Sequence, residues 1–511
     1  MILPEDSRLS QLIQGVLRQV PADQPVYLVG GAVRDLLLDR PVHDLDFVVT
    51  GMVRTLAQQV ANALAGDFFM LDEGRSTARV IVHSKIGVDL WVYPGVSTPG
   101  VAEERTFLDF CSLRGPDLEA DLRDRDFTID AISFDLRWPE ALIDPTSGLA
   151  DLQAGVLRAC TAQSFQNDPV RILRGVRLAL GLGVRLLPET LEAMRQVAGR
   201  LPEVSAERRR DELFRMLEGR QAHTAVRMLE ALGALQYLLP EVIALKGMTQ
   251  SAPHIFDGWE HTLAVLAELE RVWAVLIDDG GGAAGADPLM DAVVVRLGRY
   301  RPLLTEHFRA QLNLDRSTHG LLFLAALLHD IAKPQTRTVE PDGRVRFFGH
   351  DKQGARLAAA CARRLALSQA EVDRLEQIVA HHMRVHLLAS SGELPSRRAI
   401  FRYFHDCGLA GVDVVLLSLA DMLATYGAAL PQPVWEIELD TAGVLLEGWF
   451  ERPAQVVKPS RLLTGSELMD ELGLTPGPVV GRLLDAIQEA QAAGEIGSKA
   501  EALELARKCL R

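Results

Sequence analysis

One short run constrains this chain more than any other feature: "VYLVGGAVRDLLLDRPVHDLDFVV" at residues 26–49. A Gly-Gly pair and a helical pattern lie between two β-rich stretches, and this order predicts a strand, a tight turn, a helix and a second strand. Side chains alternate between faces along a strand, so Asp44 and Asp46 project together. Leu45 and Phe47 then face the opposite side. Neighbouring carboxylates repel each other and are costly to bury, so we expect a cation between the two aspartates.

The two aspartates offer the hard oxygen ligands that Mg²⁺ prefers. Asp89, in "IGVDLWV", lies between apolar residues of a predicted neighbouring strand and would supply a third carboxylate. Three carboxylates can hold two ions roughly 3.5–4 Å apart, one activating a hydroxyl and one stabilising a leaving pyrophosphate. Backbone N–H groups at Gly30 and Gly31 would bind triphosphate oxygens, with Arg34 adding charge. Each feature alone also fits an ordinary turn or surface loop, but their combination favours chemistry.

The chain has 511 residues, which is too long for a single core and predicts several domains. Strand-like and helical runs alternate in the first part, and the rest reads as helical apart from the Gly/Ala-rich loop "IDDGGGAAGADP". The sequence therefore predicts an α+β protein whose small mixed-sheet head precedes a mainly helical remainder. The expected domains are the head (1–160), a helical neck (161–250), a histidine-rich helical domain (251–430) and a helical tail (431–511).

The net charge of −14 opposes nonspecific binding to nucleic acid, so a polynucleotide partner needs local basic surface. Arg208, Arg209 and Arg210 would provide it in the neck, although a solvated helix with Glu–Arg pairs is the alternative. No apolar run approaches a membrane span, and the first residues lack the layout of a signal peptide. Five cysteines without CxxC spacing fit a reducing compartment, so we expect a cytoplasmic protein without a membrane partner.

Several runs resemble, in order, the motifs of the bacterial tRNA nucleotidyltransferase and poly(A) polymerase family. "LVGGAVRDLLL…HDLDFVV" resembles its first motif, "RDFTIDAIS" its RRDFTxNA element, and "NDPVRILRGVRLA" its EDPxRxLRxxRFA helix. "TGSELMDELGLTPGPVVGRLL" resembles its tRNA-facing end. The resemblance implies a polymerase-beta-like head and an enzyme that adds CCA, or part of it, to tRNA 3′ ends. Its implied substrates are the tRNA acceptor end, CTP and ATP, and its implied cofactor is Mg²⁺.

The resemblance also implies roles for individual residues, with Asp44 and Asp46 as catalytic metal ligands. The implied nucleotide site consists of Gly30, Gly31, Arg34, Asp35, Arg125, Asp126, Asp168, Arg171, Arg174 and Arg177. Three residues depart from the family pattern: Asn167 stands for its Glu, Asp124 for its first Arg and Asp130 for its Asn. The change at Asp124 removes a positive charge, which bears on the nucleotide repertoire more than on the reaction type.

The third motif also predicts a helix on physical grounds. Asp168 followed by Pro169 is a strong start signal. Arginines then recur every third residue along one exposed side. An acceptor on Asp168 and the donors of Arg171 can address the Watson–Crick edge of C or A. The alternative is a helix cap followed by a solvated face.

Ten of the thirteen histidines lie between His254 and His405. The runs "WEHTL", "LLHDIAK", "FFGHDKQGA", "IVAHHMRVH" and "LLSLADMLAT" resemble the HD phosphohydrolase superfamily in the order of their ligands. The implied metal ligands are His261, His329, Asp330 and Asp421, with His350 and either His381 or His382 (His381 preferred) for a second ion. Imidazoles with a bridging acid suit Mg²⁺, Mn²⁺, Ni²⁺, Co²⁺ or Zn²⁺. The alternative to a metal site is that the run around His329 is only a buried helix that ends in a cap.

Two other functions compete with CCA addition: a poly(A) polymerase with the same head motifs, and a phosphohydrolase whose head only binds nucleotides. The intact "HDLD" run argues against the phosphohydrolase alone. The sequence leaves open whether CCA, CC or A is added, and it leaves the oligomeric state open.

Overall fold

The structure is a computed structural model that describes residues 8–42, 44–74, 76–93, 96–278, 287–313 and 316–510, with side chains outside 84–104. The chain divides into two compact units, Met1–Val204 and Ser205–Arg511. This division falls inside the predicted neck (161–250), and the other domain boundaries stay predictions.

The first unit combines short helices with a sheet. Its strands are β1 (Val26–Val29), β2 (Asp44–Val49), β3 (Asp67–Asp72), β4 (Thr77–Tyr93), β5 (Val96–Ser112), β6 (Ser133–Asp135), β7 (Leu142–Ile143), β8 (Val156–Leu157) and β9 (Arg185–Leu186). Its helices are α1 (Arg8–Leu17), α2 (Gly31–Leu37), α3 (Val53–Leu64), α4 (Leu118–Arg123), α5 (Gly148–Gln153), α6 (Ser164–Asn167), α7 (Arg171–Leu182) and α8 (Pro188–Val197).

Over the described residues, the main sheet has the strand order β3-β4-β5-β2-β1-β6-β7. β2 and β5 run parallel, whereas the other neighbouring pairs are antiparallel. The mixed sheet confirms the predicted α+β head. One face packs against α1 and α3 and buries Leu45 and Phe47, with Phe47 stacked on Phe110 at 5.0 Å between ring centroids. The alternation of β2 therefore leaves both aspartates on the other face.

The second unit is helical over most of its described length. Its helices are α9 (Ala206–Leu217), α10 (Ala222–Ala231), α11 (Leu235–Leu238), α12 (Pro240–Ile243), α13 (Gly258–Leu276), α14 (Pro288–Leu297), α15 (Arg301–Arg309), α16 (Thr318–Leu328), α17 (Lys333–Thr336), α18 (His350–Arg364), α19 (Gln369–His381), α20 (Arg384–Ala389), α21 (Arg397–Cys407), α22 (Ala410–Tyr426), α23 (Gln432–Phe450), α24 (Gly465–Leu472), α25 (Pro478–Ala493) and α26 (Lys499–Cys509). Two small two-stranded sheets add β10 (Gln311–Asn313) with β11 (Arg316–Ser317) and β12 (Arg337–Val339) with β13 (Val345–Phe347).

The core of this unit contains helices that are apolar on all sides. Every residue of α16 except His319 is buried, and α22 is buried over almost its whole length. Among the described residues, Ala410–Ala429 has the length and composition to cross a membrane, but 72% of it is buried inside the protein. A helix buried on all sides is typical of the core of a large protein. Asp421 lies on α22, and His329 and Asp330 follow directly after α16.

Candidate active site and histidine cluster

The face of the main sheet that carries Asp44 and Asp46, the acidic face, has three charged residues side by side. In the parallel pairing of β2 with β5, Asp46 lies opposite Asp109. In the antiparallel pairing of β4 with β5, Asp109 lies opposite Arg79. Residues directly opposite each other share a face of the sheet, so Asp46, Asp109 and Arg79 lie side by side across three strands. Asp44 lies on the same face, two residues before Asp46, and the three carboxylates of Asp44, Asp46 and Asp109 form the acidic row.

Asp109 is an acid of this site that the sequence analysis missed. Both of its carboxylate oxygens accept hydrogen bonds from Arg79, from Nε and from Nη2, each at 2.7 Å. The side chain of Asp89 lies outside the described residues, and its backbone pairs with Pro99, ten positions along β4 from Arg79. The missed signal was "TFLDFCS", where an acid interrupts a strand-like apolar run just as it does around Asp89.

The glycine turn comes directly against the acidic row. Gly30 has φ 75°, and a Cβ there would lie 3.2 Å from Oδ2 of Asp46 and 3.1 Å from Nη1 of Arg125. Any larger residue would therefore be strained in its backbone and crowded by both side chains. Because both atoms lie near the same point, the guanidinium of Arg125 is a cation beside the carboxylate of Asp46. Arg79 is a second cation on this face.

Asp46 is held in an unusual electrostatic environment. Burial, and after it the neighbouring carboxylates of Asp109 and Asp44, raise its pKa to about 6. The charges of Arg125 and Arg174 only partly oppose that rise. A divalent cation would relieve this repulsion, because it binds the deprotonated carboxylates.

Arginines of the predicted nucleotide site are paired with buried acids. Nη1 of Arg34 donates to Asp130 at 2.5 Å, and its Nε donates to Asp35 at 2.9 Å. Arg174 lies 2.6 Å from Asp126 and 3.7 Å from Asp130. Burial alone would raise the pKa of Asp126, but the charges of Arg174 and other arginines outweigh it and lower the pKa. Asp130, which replaces the Asn of the family pattern, thus gives two arginines a buried carboxyl partner.

The helix α7 begins at Arg171, three residues after Asp168, and its N-cap is Val170 without a side-chain cap, so the predicted start is correct to within a turn but Asp168 is not the N-cap residue. Oδ1 of Asp168 accepts from the backbone N–H of Val170 at 3.4 Å. Arg171 donates to three backbone carbonyls, at 2.8 Å for Asp124, 3.2 Å for Ser164 and 3.3 Å for Arg125. Burial raises the pKa of Asp130, and the charges of Arg34, Arg174 and Arg177 oppose that rise only in part, so Arg177 acts on this site too.

Two of the departures from the family pattern contact each other. Nδ2 of Asn167 donates to the carboxylate of Asp124 at 3.2 Å. In the family pattern these positions hold a Glu and an Arg, so a pair of opposite charges is replaced by an amide and a carboxylate.

The arginines of α9 make contacts inside the second unit. Nη1 of Arg210 donates to the carbonyl of Ala366 at 2.5 Å, and Nη1 of Arg209 lies 3.5 Å from the carbonyl of Tyr237. The backbone N–H of Arg208 donates to Ser205, which caps the helix. RNA binding by these three arginines stays a prediction.

The histidine cluster forms two adjacent groups of candidate metal ligands. One group is His261, His329 and Asp421, and the other is Asp330, His350 and His382. Within each group the ligand atoms all lie within 4.8 Å of one another. Nε2 of His261 lies 3.0 Å from Asp421, and Nε2 of His329 lies 3.1 Å from Asp330. The Nε2 atoms of His350 and His382 are 3.2 Å apart.

His382, not His381, belongs to the cluster, which corrects the sequence-based assignment. Adjacent residues of a helical turn point about 100° apart, so only one of the two can face the cluster. The side chain of His382 is buried, and its Nδ1 lies 2.7 Å from the carbonyl of Val379. His381 instead lies near Arg384, and burial together with that positive charge lowers its pKa.

Backbone carbonyls orient the imidazoles. Nδ1 of His329 lies 2.8 Å from the carbonyl of Ala326, and Nδ1 of His350 lies 2.7 Å from that of Phe347. A carbonyl accepts only from a protonated nitrogen, so Nδ1 carries the proton and Nε2 is left as the ligand atom. The geometry therefore presents Nε2 atoms to the centre of the cluster.

The donor set fits divalent metal ions. The Nε2 atoms of His261 and His329 are buried and, among the described residues, make no well-formed hydrogen bond. Burial alone would raise the pKa of Asp330, but the charges of His329 and Lys333 outweigh it and lower the pKa far below its usual value. Two imidazole nitrogens directed at ionised carboxylates match the ligands of an HD-type metal centre.

Two further residues extend the cluster. Nε2 of His386 lies 3.0 Å from Oδ2 of Asp421, and its Nδ1 lies 2.8 Å from the fully buried Glu438. Although burial lowers the pKa of His386, the two carboxylates outweigh it and raise the pKa to about 10. A cavity of about 1090 Å³ opens beside the cluster and is lined by Asp330, Asp421 and the hairpin that carries β13.

Three family models match successive parts of the chain. Residues 26–158 match the family described as "Poly A polymerase head domain", and residues 302–425 match "HD domain". Between them, residues 183–245 match "Probable RNA and SrmB- binding site of polymerase A". The A-adding tRNA nucleotidyltransferase of Deinococcus radiodurans is 35% identical over 93% of this chain and 93% of its own length. The chain belongs to the tRNA nucleotidyltransferase family.

Other members of the tRNA nucleotidyltransferase family are similar over nearly the whole chain. The CC-adding tRNA nucleotidyltransferase of Thermus thermophilus is 34% identical over 93% of this chain and 91% of its own length. A solved CCA-adding enzyme in complex with ATP shares the fold, with a TM-score of 0.59 at 19% identity, covering 98% of this chain and 95% of that one. The Thermotoga maritima CCA-adding enzyme complexed with tRNA has a TM-score of 0.55 at 19% identity, over 99% and 97% of the two chains.

Proposed function

We propose that this protein extends the 3′ end of tRNA with CTP and ATP, adding CCA or part of it without a nucleic-acid template. The observation that carries the proposal is the row of Asp46 and Asp109 beside the turn at Gly30. Relatives that share 35% and 34% sequence identity with this chain are named as an A-adding and a CC-adding enzyme, respectively. The test must therefore also determine which nucleotides are added.

In this proposal Asp44, Asp46 and Asp109 hold Mg²⁺, and Asp109 takes the role that the sequence analysis gave to Asp89. Mg²⁺ held by these carboxylates would supply charge stabilisation while the 3′-hydroxyl of RNA attacks the α-phosphate in line and pyrophosphate leaves. Gly30 leaves room for a phosphate beside the acids because a side chain there would meet Asp46 and Arg125. Arg34 remains the proposed contact of the triphosphate.

Base recognition is assigned to Asp168 and Arg171, as the family resemblance implies. Arg171 donates to three carbonyls around Asp124, so those carbonyls hold its guanidinium in a fixed place at the start of α7. Asp124 and Asn167 stand next to this group, which makes them candidates for adjusting the choice between C and A.

The direct test uses tRNA transcripts that end at the discriminator base, at C and at CC. Each transcript is incubated with labelled CTP or ATP, and the products are sequenced. A CCA-adding enzyme extends all three, a CC-adding enzyme the first two, and an A-adding enzyme only the last. A long tail made from ATP alone would contradict the proposal and identify a poly(A) polymerase.

Metal binding at the head is expected to weaken below about pH 6. The pKa of Asp46 is raised to about 6, so its protonated fraction grows as the pH falls through that value and protons compete with the metal. At still lower pH the Mn²⁺ affinity of the acidic row falls towards about tenfold per pH unit, whereas above about pH 7 it is nearly constant. Mn²⁺ titrations at pH 5, 6, 7 and 8 measure this. An affinity that is flat from pH 8 to pH 5 would contradict the prediction.

A second candidate function is metal-dependent phosphohydrolysis at the histidine cluster. It is favoured by the buried Nε2 atoms of His261 and His329, directed at carboxylates beside a large cavity. We expect release of phosphate from nucleotides or cyclic phosphates to be lost in His329→Ala and kept in Asp46→Ala. The opposite pattern, or no release with any of Mg²⁺, Mn²⁺, Ni²⁺, Co²⁺ and Zn²⁺, would contradict this second function.

The proposed place of work is the cytoplasm, where tRNA and nucleoside triphosphates are found. The five cysteines of the chain are free thiols, which is compatible with a reducing compartment.

A further inference from the structure

Arg79 is the residue of the acidic face whose chemistry the proposed reaction does not use. Its guanidinium donates two parallel hydrogen bonds to the two oxygens of Asp109. The same guanidinium lies over the ring of Phe107, with 4.8 Å from its Cζ to the ring centroid. Two-pronged hydrogen bonding and ring contact together fix the plane of an arginine better than either contact alone.

Arg79 faces all three acids of the site, not only its direct partner. The register puts Arg79 opposite Asp109, and Asp109 opposite Asp46, on one face of the sheet. The hydrogen bond to Asp109 raises the pKa of Arg79 most, and the charges of Asp109, Asp44 and Asp46 raise it further. The guanidinium is therefore a permanent positive charge at the edge of a carboxylate cluster that would otherwise carry up to three negative charges.

We propose that Arg79 is the internal counter-ion of this carboxylate row and competes with divalent metal for Asp109, so that strong metal binding requires a nucleoside triphosphate. This inference rests on the proposed function, because it takes the row to be the metal site of nucleotidyl transfer. Arg79 is a positioning residue in this scheme, since it acts through Asp109 and not on the substrate.

Simple electrostatics gives the direction of the effect. A metal ion bound to Asp109 would share that carboxylate with the guanidinium of Arg79. Two cations that contact the same carboxylate repel each other in a partly buried site. The side chains of Arg79 and Asp109 are only 35% and 22% exposed, so water screens the repulsion incompletely. A triphosphate brings several negative charges to the same face, which offset the charge of Arg79 and restore metal affinity.

The test measures Mn²⁺ affinity of the full-length protein by the loss of the free-ion signal in electron paramagnetic resonance. Arg79→Gln keeps a hydrogen-bond donor of similar length but removes the charge, whereas Arg79→Lys keeps the charge. Asp44→Asn defines the Mn²⁺ binding that lies outside the acidic row, including any at the histidine cluster. Each variant is measured without nucleotide and with a CTP analogue that cannot be transferred.

Without nucleotide, Arg79→Gln is expected to bind Mn²⁺ at the row about tenfold more tightly than the parent, and Arg79→Lys to stay within about threefold of it. With the CTP analogue, the difference between Arg79→Gln and the parent is expected to shrink to less than about threefold. Unchanged or weaker binding by Arg79→Gln would overturn the inference. Equally tight binding by Arg79→Gln and Arg79→Lys would also overturn it, because charge would then have no effect.

Failure of the proposed function gives a different result. If Asp44→Asn and Asp109→Asn bind as much Mn²⁺ as the parent, the row is not a metal site, and the assignment of the reaction to it fails together with this inference. If both variants lose binding while Arg79→Gln shows no gain, only the inference about Arg79 fails.

Discussion

Asp109→Asn is expected to lower the rate of nucleotide incorporation about 10³-fold, which corresponds to about 4 kcal/mol of transition-state stabilisation. The reason is the register of β2 with β5, which places the Asp109 carboxylate beside Asp46 on the acidic face. An amide is a neutral and weaker ligand, so the row would lose one of the three charges that hold Mg²⁺. Single-turnover incorporation of labelled CTP into a tRNA transcript measures the loss.

Asp89→Asn is the matched control because it makes the same chemical change at the acid chosen from sequence. We expect it to keep incorporation within about threefold of the parent, less than 1 kcal/mol. Asp89 pairs with Pro99, ten residues from Arg79, and at about 3.3 Å per residue this is some 33 Å along the strand. Circular dichroism and thermal unfolding show whether both variants are folded. Incorporation by Asp109→Asn above a tenth of the parental rate would contradict the assignment of Asp109.

Alternation along a single strand was predictable from sequence. The pattern of "HDLDFVV" requires only the two-residue period of a strand, and the structure buries Leu45 and Phe47 while Asp44 and Asp46 share the other face. The predicted head fold and the beginning of α7 just after Asp168 and Pro169 depend on equally local signals. Local rules were therefore sufficient wherever the feature lay within one element.

Pairing between distant strands was not predictable. β4 and β5 are each 17 residues long, and the parallel pairing of β5 with β2 joins residues about sixty positions apart. Asp89 and Asp109 both interrupt strand-like runs, and nothing local tells which one faces Asp46. Only the register decides, because each strand position has one partner.

The histidine cluster shows the same limit. The order of motifs included five of the six candidate ligands that the structure groups together, but His381 and His382 are adjacent and equally compatible with the motif. The choice depends on where α19 ends and how the chain turns before α20. Glu438 lies on α23, beyond the predicted domain boundary at residue 430, so its contact with His386 had no signal near the motif.

Divalent metal is expected to stabilise the second unit. Addition of Mn²⁺ or Ni²⁺ to chelator-treated protein at about one hundred times its dissociation constant should add about 2.7 kcal/mol to the free energy of unfolding. For a unit of this size, that gain corresponds to a rise of roughly 5 °C in the unfolding temperature. The physical reason is that the cluster buries imidazoles and carboxylates whose ligand atoms converge within 4.8 Å, so a cation would satisfy several of them at once.

His329→Ala should abolish this stabilisation, because Nε2 of His329 is buried within the cluster and lies 3.1 Å from Asp330 and 4.0 Å from Asp421. His405→Ala is the matched control, since the His405 side chain is 49% exposed and is not among the grouped ligands. It should keep the full metal-dependent rise. Differential scanning calorimetry with and without metal measures the rise in unfolding temperature of both variants. The variant Asp46→Asn shows how much of the rise comes from metal binding in the head. An equal rise in His329→Ala and the parent would contradict metal binding at the cluster, because the ligand removed would then make no difference to the stability gained.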